Sequence, residues 1–158
     1  MHVNTIPNIE SFLMTYNTRF SIHLRPHGAT APQIRCGIND LDNPVQVLDR
    51  EITLEYDVDL PVGQHRFILE FANKTDSTPD MAVEIVAVDF EGMTLDRFRW
   101  AGVYFPNYPE PWASEQEDLP NSHPSATYLG WNGQWELEFS VPIFTWIHRL
   151  EHLGWIYD

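Results

Sequence analysis

The chain is short of cysteine, of lysine and of long apolar runs, and each shortage closes a class of function. One cysteine in 158 residues, Cys36, leaves no internal disulfide and no cysteine-rich zinc site. Set in RCGIND, among apolar and turn-forming residues, it reads as a buried thiol. Nine Lys+Arg stand against 23 Asp+Glu, a formal charge of −14. Binding to nucleic-acid phosphates needs clustered positive charge, so DNA and RNA are not expected as partners. Lys74 is the single lysine, all other basic residues being arginine. No stretch approaches the roughly 18 apolar residues that span a bilayer, so no membrane insertion is expected. The start, MHVNTIPNIESF, lacks the positive region and apolar run of a cleavable signal, and synthesis in a cytoplasm is expected. There is no G-x-S-x-G and no glycine-rich phosphate loop. The acidity itself fits solubility, affinity for divalent cations or nucleic-acid mimicry.

What is present points to one folded domain: 43% hydrophobic and 13% aromatic residues argue against disorder. The central stretch, His65 to Gly92, has two apolar strand-like runs around the polar segment Asn73 to Asp80. In the first run Phe67, Leu69 and Phe71 alternate with Arg66, Ile68 and Glu70, the period of a strand. The second, Val83 to Phe90, is almost continuously apolar, which predicts a strand covered on both faces. Alternation also predicts strands at Arg19 to Leu24, Gln33 to Ile38 and Ile52 to Leu60, the last burying Leu54, Tyr56 and Val58. The turn Pro61-Val62-Gly63-Gln64 predicts a hairpin between Ile52–Leu60 and the strand at His65. Phe98, Trp100 and Val103 suggest a further strand, and Glu136 to Val141 another. Residues 1–18 read as an arm or short helix, and 19–158 as one domain ending in a helix over 142–153, with Pro142 in its first turn. Many short strands with one late helix predict an all-β, antiparallel β-sandwich of jelly-roll type.

Three constellations carry candidate chemistry. On the terminal helix, His148-x-x-Glu151-His152 has the spacing of inverted zinc peptidases. Those enzymes need a further acidic ligand well downstream, and here six residues follow, so the string reads as the polar face of an amphipathic helix. Asn73, Asp76 and Asp80 offer oxygen ligands of the kind calcium takes, and equally the turn chemistry of Asn and Asp. The segment 105–127 holds five of the 12 prolines and is too long for a plain link. Around it gather Tyr104, Tyr108, Trp112, Tyr128 and Trp131. Such rings either stack on the apolar faces of sugars or plug the open end of a sandwich.

FILEFAN, an acidic loop and VEIVAVDFEG together resemble the core of calcium-dependent xylan-binding carbohydrate-binding modules, which are β-sandwiches. In that family the first strand ends in Asn-Asp and a later Asp-Arg-Asn precedes the next. Asn73 matches, Lys74 stands where the Asp would be, and Met81-Ala82 follow Asp80 in place of Arg-Asn. The order F-x-N-K-x-D, Y-x-P-x-Y-P, YLGWNGQW and a Trp-containing terminal helix is similar to small virion-associated proteins of tailed bacteriophages. Together these resemblances imply a carbohydrate-module-like sandwich acting as a non-enzymatic structural or accessory virion protein. It would meet other virion proteins, further copies of itself or a polysaccharide, with Tyr108, Trp112, Tyr128 and Trp131 as the contact residues. The competing readings are a small metal-dependent or glycan-active hydrolase and an acidic nucleic-acid-mimic inhibitor.

Overall fold

The computed structural model describes residues 15–151. Alternation of Thr18, Phe20, Ile22 and Leu24 against polar neighbours builds β1 (Thr15–His27), which buries the first set and turns the second outward. Its first residues, Thr15 to Thr18, were expected in the terminal arm; they pair in register with Val58 to Pro61 and are strand. β1 lies between β4 (Ile52–Pro61) and β6 (Ala82–Phe90), antiparallel to both. The short β10 (Tyr128–Leu129) and β7 (Met93–Thr94) also pair with β6. The opposing sheet has the order β3 (Gln46–Val47), β2 (Gln33–Ile38), β5 (Gly63–Phe71), β11 (Gly133–Val141), β8 (Val103–Pro106), β9 (His123–Pro124). The antiparallel sandwich expected from the strand pattern is therefore the fold.

The hairpin expected at residues 61–64 does not form. β4 belongs to the first sheet and β5 to the second, so the chain turns a corner between layers. Gly63, at φ +137°, supplies a backbone conformation that side chains disfavour, and His65 pins the turn. His65 is buried; its Nε2 donates to the Pro61 carbonyl at 2.7 Å. Arg66 N–H donates to Asn39 Oδ1, which leaves the Asn39 amide nitrogen to face His65 Nδ1 at 3.0 Å. β4 is an edge strand, and for that reason Leu54, Tyr56 and Val58 face inward yet stay half-buried.

Aromatic rings join the layers. Phe20 of the first sheet meets Phe67 of the second at 4.8 Å, and Phe90 meets Phe139 at 5.2 Å. A short helix, α1 (Asp96–Trp100), sends Phe98 into this core, where the sequence suggested a strand; α2 (Ile143–Leu150) adds Trp146, stacked on Phe98 at 5.8 Å. Pro142 caps α2 from outside with an extended backbone, and the expected last residues of that helix, 152 and 153, lie outside the described ones. The continuous apolar run of β6 has a different cause from the one expected. Pairing with β1 slips between His23 and Leu24, so His23 faces Ala87 and Leu24 faces Ile85. Val86 is the extra residue of a bulge, which resets the alternation so that Val83, Ile85, Val88 and Phe90 all point inward. Arg99 donates to the carbonyl that the bulge leaves outside the ladder, at 3.1 Å.

On the outer face of the first sheet β1 carries a ladder of opposite charges. Glu51 accepts from Arg25 Nε at 2.6 Å and pairs with His23 at 2.8 Å; Glu84 pairs with His27 at 2.8 Å and Arg25 at 3.3 Å. The hydrogen bonds from Arg25 and His23 hold Glu51 below its ordinary range, and that from His27, with Arg25 behind it, does the same to Glu84. A depressed carboxylate stabilises the fold above its unfolded pKa and loses that contribution as pH falls through the folded value. Stability should therefore drop on acidification through and below the usual carboxylate range. Glu51→Gln with Glu84→Gln should flatten that drop, read from urea midpoints over a pH series. Packing gives a second expectation. A Cβ on Gly102 would stand 2.1 Å from the buried Trp135 indole, so Gly102→Ala should cost about 1–3 kcal/mol in chemical denaturation.

Candidate functional site

The long segment after β8 is fastened to the sandwich at Trp131. Tyr104, inward-facing on β8 and buried, receives the Trp131 N–H on its hydroxyl at 2.9 Å and donates to the Trp131 carbonyl. Burial pushes the Tyr104 phenol up to about 12, so it remains a donor throughout the ordinary pH range. The neighbouring Asn132 forms a two-way clamp on Lys74: its Oδ1 accepts Lys74 N–H and its Nδ2 donates to the Lys74 carbonyl, both at 2.9 Å. The Lys74 ammonium donates to the Gly130 carbonyl at 2.6 Å, and Asn107 N–H to the Asn132 carbonyl at 2.6 Å. These bonds lock the loop after β5, the turn before β11 and the start of the proline-rich segment together.

Three rings are mounted on this frame. Trp112 lies nearly parallel to Trp131, at 5.7 Å and 25°, and Tyr108 meets Trp131 edge-on at 5.2 Å. The Tyr108 hydroxyl donates to the Pro120 carbonyl at 2.8 Å and is bonded to His123 Nε2 at 2.5 Å. Trp112 opens a single 3-10 turn, Ala113–Glu115, steadied by Ser114 N–H and Oγ donating to Glu110 Oε1. Trp112 keeps 38% of its surface exposed, while Tyr108 and Trp131 are half-buried. The cluster thus has a covered back, set by hydrogen bonds, and an open ring.

Tyr128 does not join it. On β10 it stands opposite Glu84 of the first sheet, and its ring is 5.2 Å from His27. Only two residues separate Tyr128 from Trp131, but Leu129 is buried in the first sheet and β11 starts in the second, so the chain crosses between them. The supposed oxygen-ligand loop is also otherwise engaged in part. Asn73 Oδ1 accepts Gln33 N–H at 2.8 Å and its Nδ2 donates to the Ala31 carbonyl, which spends the side chain on joining β5 to β2. Asp76 and Asp80 are exposed, on a loop tightened by Thr75 N–H donating to Thr78 Oγ1 at 2.9 Å. No group of three or more His, Cys, Asp or Glu side chains is placed to hold a metal among the described residues. On α2, Glu151 pairs with Arg97 at 2.9 Å; His152 lies outside the described residues.

Between Trp131 and the loop after β5 opens a cleft of about 300 Å³, lined by Lys74, Thr75, Asp76, Asn107, Trp131 and Asn132. Lys74 and Asn132 are committed to the frame, which leaves the Asp76 carboxylate and the Asn107 amide facing solvent beside an indole. The sequence reading missed Asn107. Its signal was weak, one amide in a segment rich in them.

No family model matches the chain, and neither does any curated protein. Two solved structures follow a similar course. One is vCBM60 in complex with galactobiose, 13% identical, with a TM-score of 0.48 over 75% of this chain and 96% of that one. The other is a selenomethionine form of vCBM60, from work on circular permutation linking two families of calcium-dependent carbohydrate binding modules. It is 12% identical, with a TM-score of 0.48 over 76% of this chain and 89% of that one.

The Tyr104 pin has a direct test. Tyr104→Phe keeps the ring and leaves the Trp131 N–H and carbonyl without their partner. It should cost about 1–3 kcal/mol in urea denaturation and change tryptophan emission.

Proposed function

We propose that this protein is a non-enzymatic glycan-binding module, carried as an accessory protein on the virion of a tailed phage. The observation that carries the binding reading is the Trp112–Trp131–Tyr108 cluster. Its stacked indoles are fixed from behind by hydrogen bonds, open at Trp112, and flanked by a carboxylate and an amide with no protein partner among the described residues. Sugar rings offer C–H faces to an indole and hydroxyls to such polar groups. Rings held in place before the ligand arrives reduce the ordering cost of binding. Cleaving a glycosidic bond takes two carboxylates across the scissile bond, and Asp76 is the one carboxylate lining this cleft among the described residues. That favours holding a sugar over cutting it. The virion setting is supported by the likeness of YLGWNGQW and its neighbours to tailed-phage proteins.

A glycan array followed by calorimetry tests the reading. Trp112→Ala and Trp131→Ala should each weaken binding about tenfold or more, with far-UV circular dichroism unchanged. If no glycan binds, and Trp112→Ala instead prevents co-sedimentation with phage particles, the cluster is a subunit contact. Absence of the wild-type protein from purified particles would remove the virion setting.

A further inference from the structure

The outer face of the second sheet carries a row of side chains that strand register alone puts in line. Arg35 of β2 stands opposite Glu70 of β5, Glu70 opposite Gln134 of β11, and Gln134 opposite Phe105 of β8. All four lie on the outward side of their strands, since the residues that alternate with them, Ile34, Leu69, Trp135 and Tyr104, are buried. At about 4.8 Å between neighbouring strands, the row is roughly 14 Å long.

Its chemistry is mixed along that length. Arg35 only donates, Glu70 only accepts, Gln134 does both, and Phe105 presents a ring that is 42% exposed. Gln134 reaches Glu70 at 3.5 Å, the outer limit of a hydrogen bond, so neither is used up by the other. The single positive and single negative charge cancel. A chain of −14 repels polyanions, so a neutral ligand rich in hydroxyls fits this row better than a nucleic acid or an acidic polymer.

The row is also continuous with the Trp131 cleft. Asn107 lines that cleft and a second one, of about 290 Å³, formed with Phe105, Gln134 and Glu70. Glu70 and Ala72 line the second and a third, of about 110 Å³, beside Arg35. Ala72 and Gly133 keep the floor low, and a Cβ on Gly133 would stand 2.4 Å from the Phe105 carbonyl oxygen.

We infer that the three clefts form one groove, from Trp131 across Phe105 and Gln134 to Arg35, which takes an internal stretch of a linear, uncharged polysaccharide. This rests on the glycan-binding reading above and adds to it the ligand's length, its neutrality and a second stacking ring, Phe105. Terminal-sugar recognition would need the Trp131 cleft alone.

Calorimetry with β-1,4-linked gluco-, xylo- and galacto-oligosaccharides, from disaccharide to hexasaccharide, tests it on the full chain. Affinity should rise about tenfold or more from disaccharide to hexasaccharide. Phe105→Ala should erase that rise and leave disaccharide affinity as it was, whereas Trp131→Ala should weaken every length. Phe105→Leu, which keeps the apolar bulk and removes the ring, should act like Phe105→Ala and covers the case in which alanine unfolds the edge. A flat length series, with both Phe105 variants matching wild type, would overturn the groove and leave the Trp131 site standing. Tighter binding of a polygalacturonate than of the neutral oligomers would overturn the assignment of a neutral ligand. If none of these oligosaccharides binds, and the array is also blank, the glycan reading falls and the groove with it.

Discussion

This chain passes back and forth between two sheets, and such passages leave backbone groups outside the ladders. β4 crosses to β5, β5 to β6, and β10 to β11, over the roughly 10 Å that separates packed sheets. A buried N–H or C=O without a partner is costly, and at these three crossings side chains supply the partners. His65 with Asn39 does this at the first, Asn73 at the start of the second, and Lys74 with Asn132 where the second meets the third. The candidate site follows from that requirement. Trp131 and Asn107 stand where they do because Tyr104 and Asn132 have to close the backbone there, and a rigid aromatic platform results.

The same requirement explains the one lysine. A compact ammonium on a flexible stem suits a single carbonyl, whereas a guanidinium presents a fork of donors and would leave several unmatched in this cleft. Arg25 shows the contrasting case, its guanidinium reaching both Glu51 and Glu84. The acidic surplus lies elsewhere. Glu55, Asp57 and Asp59 project from the exposed side of β4, whose free edge would otherwise invite another strand, and charges at such an edge discourage that pairing.

How much of this could be read beforehand divides along one line. Period-two alternation is a local property, and the strand pattern showed β1, β2, β4, β5 and β11. Which strand pairs with which is not local, and the Pro61–Gln64 turn looks the same whether it closes a hairpin or rounds a corner. The bulge at Val86 was invisible for a related reason: an extra apolar residue in an apolar strand makes the run look covered on both faces. Phe98, Trp100 and Val103 suggested a strand, and the first two lie instead in α1, from which Phe98 packs edge-on against Phe90. Within the candidate site, Tyr108, Trp112 and Trp131 were grouped by proximity along the chain, and the structure groups them in space. Tyr128 failed the same rule, since one crossing of the sandwich parts it from Trp131.

The two outer faces of the sandwich differ in a way that bears on where a ligand can sit. On the first sheet, His23, Arg25, His27, Glu51 and Glu84 satisfy one another in a closed ladder. A hydroxyl arriving there would have to break an existing charge-assisted bond to make a new one, with little net gain. On the second sheet the row from Arg35 to Phe105 holds two long bonds, Arg35 Nε to the Asn43 carbonyl at 3.3 Å and Gln134 to Glu70 at 3.5 Å, and a bare ring. A hydroxyl reaching Glu70 or Gln134 has at most that 3.5 Å contact to break. The second sheet has an ion pair of its own, Arg66 with Glu136 at 3.1 Å, but the row beside it is held more loosely than the ladder, and it is the row that runs into the Trp131 cleft. The strand register sets the row and the crossing bonds set the cleft, so both parts of the groove are products of the fold itself and neither depends on a mobile loop closing over the ligand.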